Sequence, residues 1–237
     1  MTRAALGTGA AVSTSTSTST RSRPAVVAFV LVAWVVILGA ILLVGWLLTH
    51  PLESTVDPWD DDAARWFAGE RAQDLNGVAD VGTILGETMV GMGVAAVVAV
   101  GLSWWRRSFL PAIFVGLLVA GIGGFYWVAT QLISRDRPPV RILDPGLVPD
   151  HSFPSGHVAT ATAVYAGLAV LVWVLAPAAR RWVWLLFLLP PFVALARLYE
   201  GAHHVTDVLV SFVYTTAWLA VLVSVLLVRD RPVSTER

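Results

Sequence analysis

Two histidines, an aspartate and a small set of arginines carry most of the chemical potential of this chain, in three short clusters. These are Arg135-Asp136-Arg137-Pro138, then Pro154-Ser155-Gly156-His157, then Arg197 followed by His203 and Asp207. Ionisable groups beside membrane spans are costly and mark functional sites by default. Imidazoles that attack or donate protons, with arginine forks that clamp oxygens, can move a phosphoryl group without a metal.

In the third cluster, Arg197-Leu-Tyr-Glu-Gly-Ala-His203-His204-Val-Thr-Asp207, the last histidine-aspartate spacing of four puts His203 and Asp207 on one face of a helix. An aspartate on one imidazole nitrogen fixes the tautomer and frees the other nitrogen to attack. The same residues also read as a loop running into a helix. A metal set of His203, His204 and Asp207 is a third reading, weakened because adjacent histidines rarely face one ion.

In the second cluster, Ser155 and Gly156 at a helix start present N–H groups to an anion. Gly156 permits close approach, and His157 can protonate a leaving oxygen. A plain helix cap with an incidental histidine fits equally. In the first cluster, Arg135 and Arg137 offer forks that match phosphate oxygens. Interfacial anchoring by long side chains is the competing reading, and Arg141 fits it best.

The elements that must hold these clusters are membrane spans. The chain has 237 residues, 57% apolar and 14% charged, with zero formal net charge. That composition points to a polytopic all-α membrane protein. The neutral balance offers no basic surface for nucleic acid. There is no cysteine and no lysine, which excludes disulfides, thiolate chemistry, Schiff bases and a P-loop lysine. Apolar stretches at 24–48, 79–104, 109–133, 157–177, 182–199 and 205–228 give six transmembrane helices. Pro190-Pro191 predicts a kink in the fifth.

Between the first two spans, acids at 57, 60, 61, 62, 70 and 74 interleave with Trp59, Trp66, Phe67 and Leu75. Ala64 to Leu75 reads as a short amphipathic interfacial helix, or the whole segment as a solvated acidic loop. The Ser-Thr-rich residues 1–23 read as a disordered cytoplasmic tail. Residues 24–228 form the membrane domain, and 229–237 a second cytoplasmic tail.

Orientation follows from arginine pairs. Arg21/Arg23, Arg106/Arg107, Arg180/Arg181 and Arg229/Arg231 fall on one side if six spans alternate, and that side is the cytoplasm. The acidic segment and all three clusters then face outward from the plasma membrane. Trp104, Trp105, Trp182 and Trp184 sit at span ends, where indoles prefer to be.

The combination resembles the type 2 phosphatidic acid phosphatase superfamily, which includes bacterial membrane lipid phosphatases. The family pattern is Lys-x6-Arg-Pro, Pro-Ser-Gly-His and Ser-Arg-x5-His-x3-Asp. It is met here by Arg137-Pro138, Pro154-Ser155-Gly156-His157 and Arg197-x5-His203-x3-Asp207. The family lysine falls on Thr130 and the family serine on Ala196. With no lysine in the chain, Arg135 or Arg141 is left to compensate, with Thr130 offering a hydrogen bond.

The resemblance implies a lipid phosphatase that hydrolyses a phosphate monoester or pyrophosphate at the extracytoplasmic face. His203 would form a phosphohistidine, Asp207 would orient it, and His157 would protonate the leaving oxygen. Arg137, Arg197, Ser155 and Gly156 would hold phosphate oxygens, with Arg135 and Thr130 as further phosphate-site candidates. No metal or cofactor is implied, and the partners are a lipid phosphate and the bilayer. A lipid phosphotransferase and a non-catalytic lipid-phosphate binding or transport protein are the alternatives.

Overall fold

The computed structural model describes residues 22–228. Residues 1–21 of the tail expected over 1–23, the tail expected over 229–237, and with them Arg21, Arg229 and Arg231 lie outside the described residues, while Arg23 already belongs to the first helix. Within them the chain is helical, with no strand and one isolated parallel bridge, Arg135 to His151. Six helices are long and apolar enough to cross a membrane. They are α1 (Arg23–Thr49), α4 (Thr88–Arg106), α5 (Leu110–Leu132), α6 (Gly156–Leu175), α7 (Pro177–Tyr199) and α8 (Val205–Leu227). Two shorter helices, α2 (Glu53–Gly69) and α3 (Gln73–Gly86), lie between α1 and α4.

Local chemistry sets several boundaries. Pro24 and Pro111 stand in the first turns of α1 and α5, where a missing N–H costs nothing. α4 stops at Arg107, whose φ of 49° is left-handed. The Ser103 hydroxyl then accepts the Ala112 N–H at 3.2 Å, satisfying a free donor at the start of α5. The expected kink at Pro190-Pro191 takes the form of a 3₁₀ stretch, Trp184–Leu188, with both prolines in the first turn of the α-helical segment Leu189–Tyr199.

Three expectations are corrected. The stretch 79–104 is not one helix, because α3 ends at Gly86 and α4 begins at Thr88. Nor is Ala64–Leu75 one amphipathic helix. It is divided at residues 70–72, where the turn is captured by α7: Arg71 Nε donates to the Tyr199 carbonyl at 2.9 Å and the Ala72 N–H donates to the Tyr199 hydroxyl at 3.0 Å. The acids of α2 are not all solvated either, since Asp60 is fully buried.

Helices in a bilayer are held by close packing and polar contacts rather than by hydrophobic exclusion. An aromatic cluster locks α1, α5 and α8. Trp34 stacks on Phe125 at 5.1 Å, and Tyr214 and Trp218 meet the same ring edge-on. Both indole N–H groups are satisfied by α5 carbonyls, Trp34 on Gly121 and Trp218 on Leu117, each at 3.2 Å. α3 packs most extensively on α7. A Cβ at Gly82 would lie 2.4 Å from the Ala196 Cβ, so glycine sets that approach.

The alternation of spans puts the end of α5, the start of α6, the end of α7 and the start of α8 together. Arg23, Arg106, Arg107, Arg180 and Arg181 lie at the opposite end of the bundle. Trp104 and Trp182 are exposed beside those arginines, and Arg106 and Arg181 lie over the Trp105 and Trp182 rings.

Candidate active site

The site is built from one irregular loop, residues 133–155, and three helix ends. The loop folds back on itself. The Arg135 N–H donates to the Asp150 carbonyl and the Ser152 N–H to the Arg135 carbonyl, both at 3.0 Å. This clamp sets the first cluster beside the start of the second.

His203 is buried and its Nδ1 lies 2.7 Å from the Ser152 carbonyl. A carbonyl only accepts, so Nδ1 carries the proton and the lone pair resides on Nε2. Asp207 is 3.8 Å from that Nδ1. The direct carboxylate–imidazole hydrogen bond expected from the spacing of four is therefore not made. The reason is local: α8 begins at Val205, so His203 stands in the preceding turn rather than on the helical face of Asp207. Asp207 instead reaches His203 through Ser152, whose hydroxyl donates to the carboxylate at 2.6 Å while its carbonyl holds the imidazole.

Asp207 is fully buried and also accepts the His204 N–H at 2.9 Å and Arg135 Nη1 at 2.6 Å. Arg135 serves four groups at once. Nη1 also donates to Thr206, and Nη2 donates to Asp57 at 2.9 Å and Asp60 at 3.0 Å. Burial alone would lower its pKa, but Asp207 with Asp57 and Asp60 holds it above the ordinary guanidinium value. The fork expected to bind phosphate is thus occupied by carboxylates, and Arg135 is placed as a cross-link from the loop to α2 and α8. His204, the other half of the metal reading, lies 3.3 Å from Asp61. Among the described residues no group of three or more histidines and acids is arranged to hold a metal ion.

Arg137 differs in kind. Its three nitrogens donate to carbonyls only: Nε to Val148 at 2.9 Å, Nη1 to Ala202 at 2.5 Å and Nη2 to His151 at 3.0 Å. Burial, reinforced by nearby Arg197, lowers its pKa. Among the described residues no carboxylate contacts its charge. Arg197 is fully buried. Nη1 donates to Thr83 at 2.8 Å and Glu200 at 2.6 Å, and Nη2 to Asp144 at 2.9 Å. Burial raises the Glu200 pKa, with Arg197 pulling the other way.

Ser155 precedes α6 and is fully buried, and neither its hydroxyl nor Arg197 Nε has a partner. Unmatched buried donors of this kind call for an acceptor. Gly156 is needed for packing, since a Cβ there would lie 2.9 Å from the Tyr126 ring. His157 follows, close enough to interact electrostatically with His203, Arg137 and Arg197. It also lines an apolar cavity of 350 Å³ between α4, α5 and α6, with Met92, Ile122, Gly123, Tyr126 and Val164. Thr130 is buried and its hydroxyl turns back onto its own helix, 3.1 Å from the Trp127 carbonyl. It offers no free hydrogen bond in place of the lysine.

His203, His157, Arg137 and Arg197 are thus brought together, and Arg135 and Thr130 are otherwise engaged. The sequence reading missed Ser152, Asp144, Glu200, Thr83 and Asp60. Ser152 stood beside the second motif and Glu200 inside the third, but nothing in the spacing marked Asp144, Thr83 or Asp60.

The family model described as PAP2 superfamily matches residues 111–231, just over half of the chain. No curated protein sequence matches. Among solved structures, the transmembrane PAP2 type phosphatidylglycerolphosphate phosphatase from Bacillus subtilis is similar in fold. Its TM-score is 0.64 at 22% identity, covering 84% of this chain and 93% of that one.

Proposed function

This chain belongs to the PAP2 superfamily, and from that premise we propose that it hydrolyses the terminal phosphate of a membrane lipid, a monoester or pyrophosphate, through a phosphohistidine on His203. One observation carries the reading. The Ser152 carbonyl accepts the hydrogen bond from Nδ1–H of His203 and leaves the lone pair on Nε2, with His157, Arg137 and Arg197 within electrostatic reach.

Nε2 attacks phosphorus in line, and the bond from phosphorus to the lipid oxygen breaks. His157 gives its proton to that oxygen, so the lipid leaves as an alcohol or as a shortened phosphate. Water then attacks the phosphohistidine, His157 takes one of its protons, the phosphorus–nitrogen bond breaks and phosphate departs. Arg137, Arg197, the Ser155 hydroxyl and the Gly156 N–H hold the equatorial oxygens, where transition-state charge is spread. Asp207 keeps Ser152, and through it His203, in register.

The apolar cavity beside His157 supports a lipid rather than a soluble substrate, because a leaving oxygen at His157 would carry its chain directly into that space. The five described arginines at the far end of the spans support an extracytoplasmic site by the positive-inside rule.

The test is phosphate release by the purified protein in detergent with a chelator present. Phosphatidic acid, phosphatidylglycerol phosphate and a polyprenyl pyrophosphate are offered, with His203→Ala in parallel. Release that resists the chelator, falls at least about a thousandfold in His203→Ala and passes through an acid-labile phosphoenzyme is expected. Near-normal turnover by the variant would sink the assignment.

A further inference from the structure

Arg197, buried to 0% exposure, is contacted by two carboxylates, and they are not equivalent. The Glu200 side chain is 3% exposed, belongs to the helix-end turn that carries Arg197, and is further held by Thr83 at 2.8 Å. The Asp144 side chain is 21% exposed and comes from the irregular loop, 53 positions away. It makes one contact to Arg197, at 2.9 Å, and is followed by exposed Pro145 and by Gly146 at φ +86°. The Leu143 N–H, bonded to the Glu200 carbonyl at 3.0 Å, anchors the loop just before it. Asp144 therefore sits at a point where the chain can turn outward while its root stays fixed.

Charge makes the contact consequential. With both carboxylates in place, the Arg197 charge is more than balanced and an incoming phosphoryl group meets no net attraction there. Arg197 Nε and the Ser155 hydroxyl are nevertheless buried with no acceptor. The neighbouring Arg137 has carbonyl partners only. An anion would match these donors, and a carboxylate on Nη2 stands where one of its oxygens would bind.

We infer that Asp144 is an anionic placeholder on Arg197, displaced to solvent when a phosphoryl group binds, so that it sets the affinity and charge preference of the site. This rests on the phosphatase reading for the identity of the bound group. Removing the competing charge while keeping the side-chain shape, in Asp144→Asn, is expected to tighten anion binding about tenfold. Asp136, an exposed acid of the same loop, is the control for the general field.

The experiment titrates orthovanadate against wild-type protein, Asp144→Asn and Asp136→Asn in detergent, reading the rise in thermal unfolding midpoint, with lipid phosphate release followed in parallel. Tighter orthovanadate binding and a lower KM in Asp144→Asn, with less than about a twofold change in Asp136→Asn, is the expected result. Unchanged or weaker binding in Asp144→Asn overturns the placeholder role and leaves Asp144 as a support for Arg197. An equal gain in Asp136→Asn overturns it in favour of a general field. Orthovanadate binding by neither wild type nor variant also overturns it. If orthovanadate binds more tightly to Asp144→Asn but the wild type releases no phosphate, the placeholder stands and the hydrolase reading falls.

Discussion

Arg135 and Asp207, 72 positions apart, form a buried ion pair at 2.6 Å that joins the irregular loop to the first turn of α8. The same guanidinium reaches Asp57 and Asp60, so α2 is tied to the helix that follows His203. Asp60 completes the tie by accepting the Thr206 N–H at 3.2 Å. A helix outside the region matched by the family model is thereby part of the scaffold of the site.

Arg135→Ala should therefore act on stability before it acts on phosphate affinity. It leaves Asp207 and Asp60 buried without their counter-charge, a loss of about 3–5 kcal/mol. Arg135→Lys should recover only part, because one ammonium cannot serve four acceptors in a fixed plane. Thermal unfolding in detergent measures both. Orthovanadate affinity of the folded fraction should change less than about threefold, against a loss of tenfold or more in Arg137→Ala, whose charge no carboxylate neutralises.

The pH profile should carry the signature of His203. Burial lowers its pKa below the ordinary value of about 6.5, with Arg197 and Arg137 adding to the effect and Asp207 opposing it. The attacking imidazole must be neutral, so kcat/KM should hold as pH falls to about 6.5 and decline only below it. Stability has the same sign. The unfolded chain takes up the proton at the ordinary value while the folded one resists, so this contribution is present above about 6.5 and is lost as pH falls below it. Steady-state rates and unfolding midpoints from pH 5 to 8 check both limbs.

Thr130→Val should leave turnover within about twofold of wild type. The hydroxyl is bonded to Trp127 in its own helix, and such a bond contributes little net. A loss of tenfold or more would place the Thr130 hydroxyl on the substrate and refute this reading.

Gly86→Ala should lower kcat by about tenfold and cost about 1–3 kcal/mol. The new methyl would lie 2.6 Å from Val193 Cγ1 and 3.0 Å from His157 Cβ, with the His157 carbonyl at 3.2 Å, so the histidine must move. Gly77→Ala, also in α3, meets nothing within 4 Å and should be neutral or slightly stabilising. Rates and unfolding midpoints of the two variants separate displacement of His157 from a general effect on α3.

Gly123→Leu tests the cavity. Gly123 lines the apolar space beside His157, and a Cβ there meets nothing within 4 Å, so a larger side chain can be added at the cavity wall without disturbing the core. KM for a long-chain lipid phosphate should rise about tenfold or more. A short-chain soluble phosphate ester should be turned over within about twofold of wild type. Equal effects on both substrates would remove the cavity from the lipid path.

The all-α class, the six spans and the gathering of the three clusters at one end of the bundle were legible along the chain. These follow from run length, alternation and the positions of arginine, all short-range quantities that one pass along the chain reads. That His203, His157, Arg137 and Arg197 would meet was implied by the family resemblance of the three motifs rather than by local spacing. Tertiary structure decided how they are wired. The i,i+4 rule put Asp207 on His203, but helix α8 starts two positions after His203, and the Ser152 carbonyl from a distant loop accepts the Nδ1–H hydrogen bond instead. Arg135 and Arg137 are two positions apart and alike in sequence, yet one meets three carboxylates and the other three carbonyls. Asp60 and Asp144 act across 75 and 53 positions. Charge balance in a buried site depends on which distant groups come within hydrogen-bonding reach, and no local spacing encodes that.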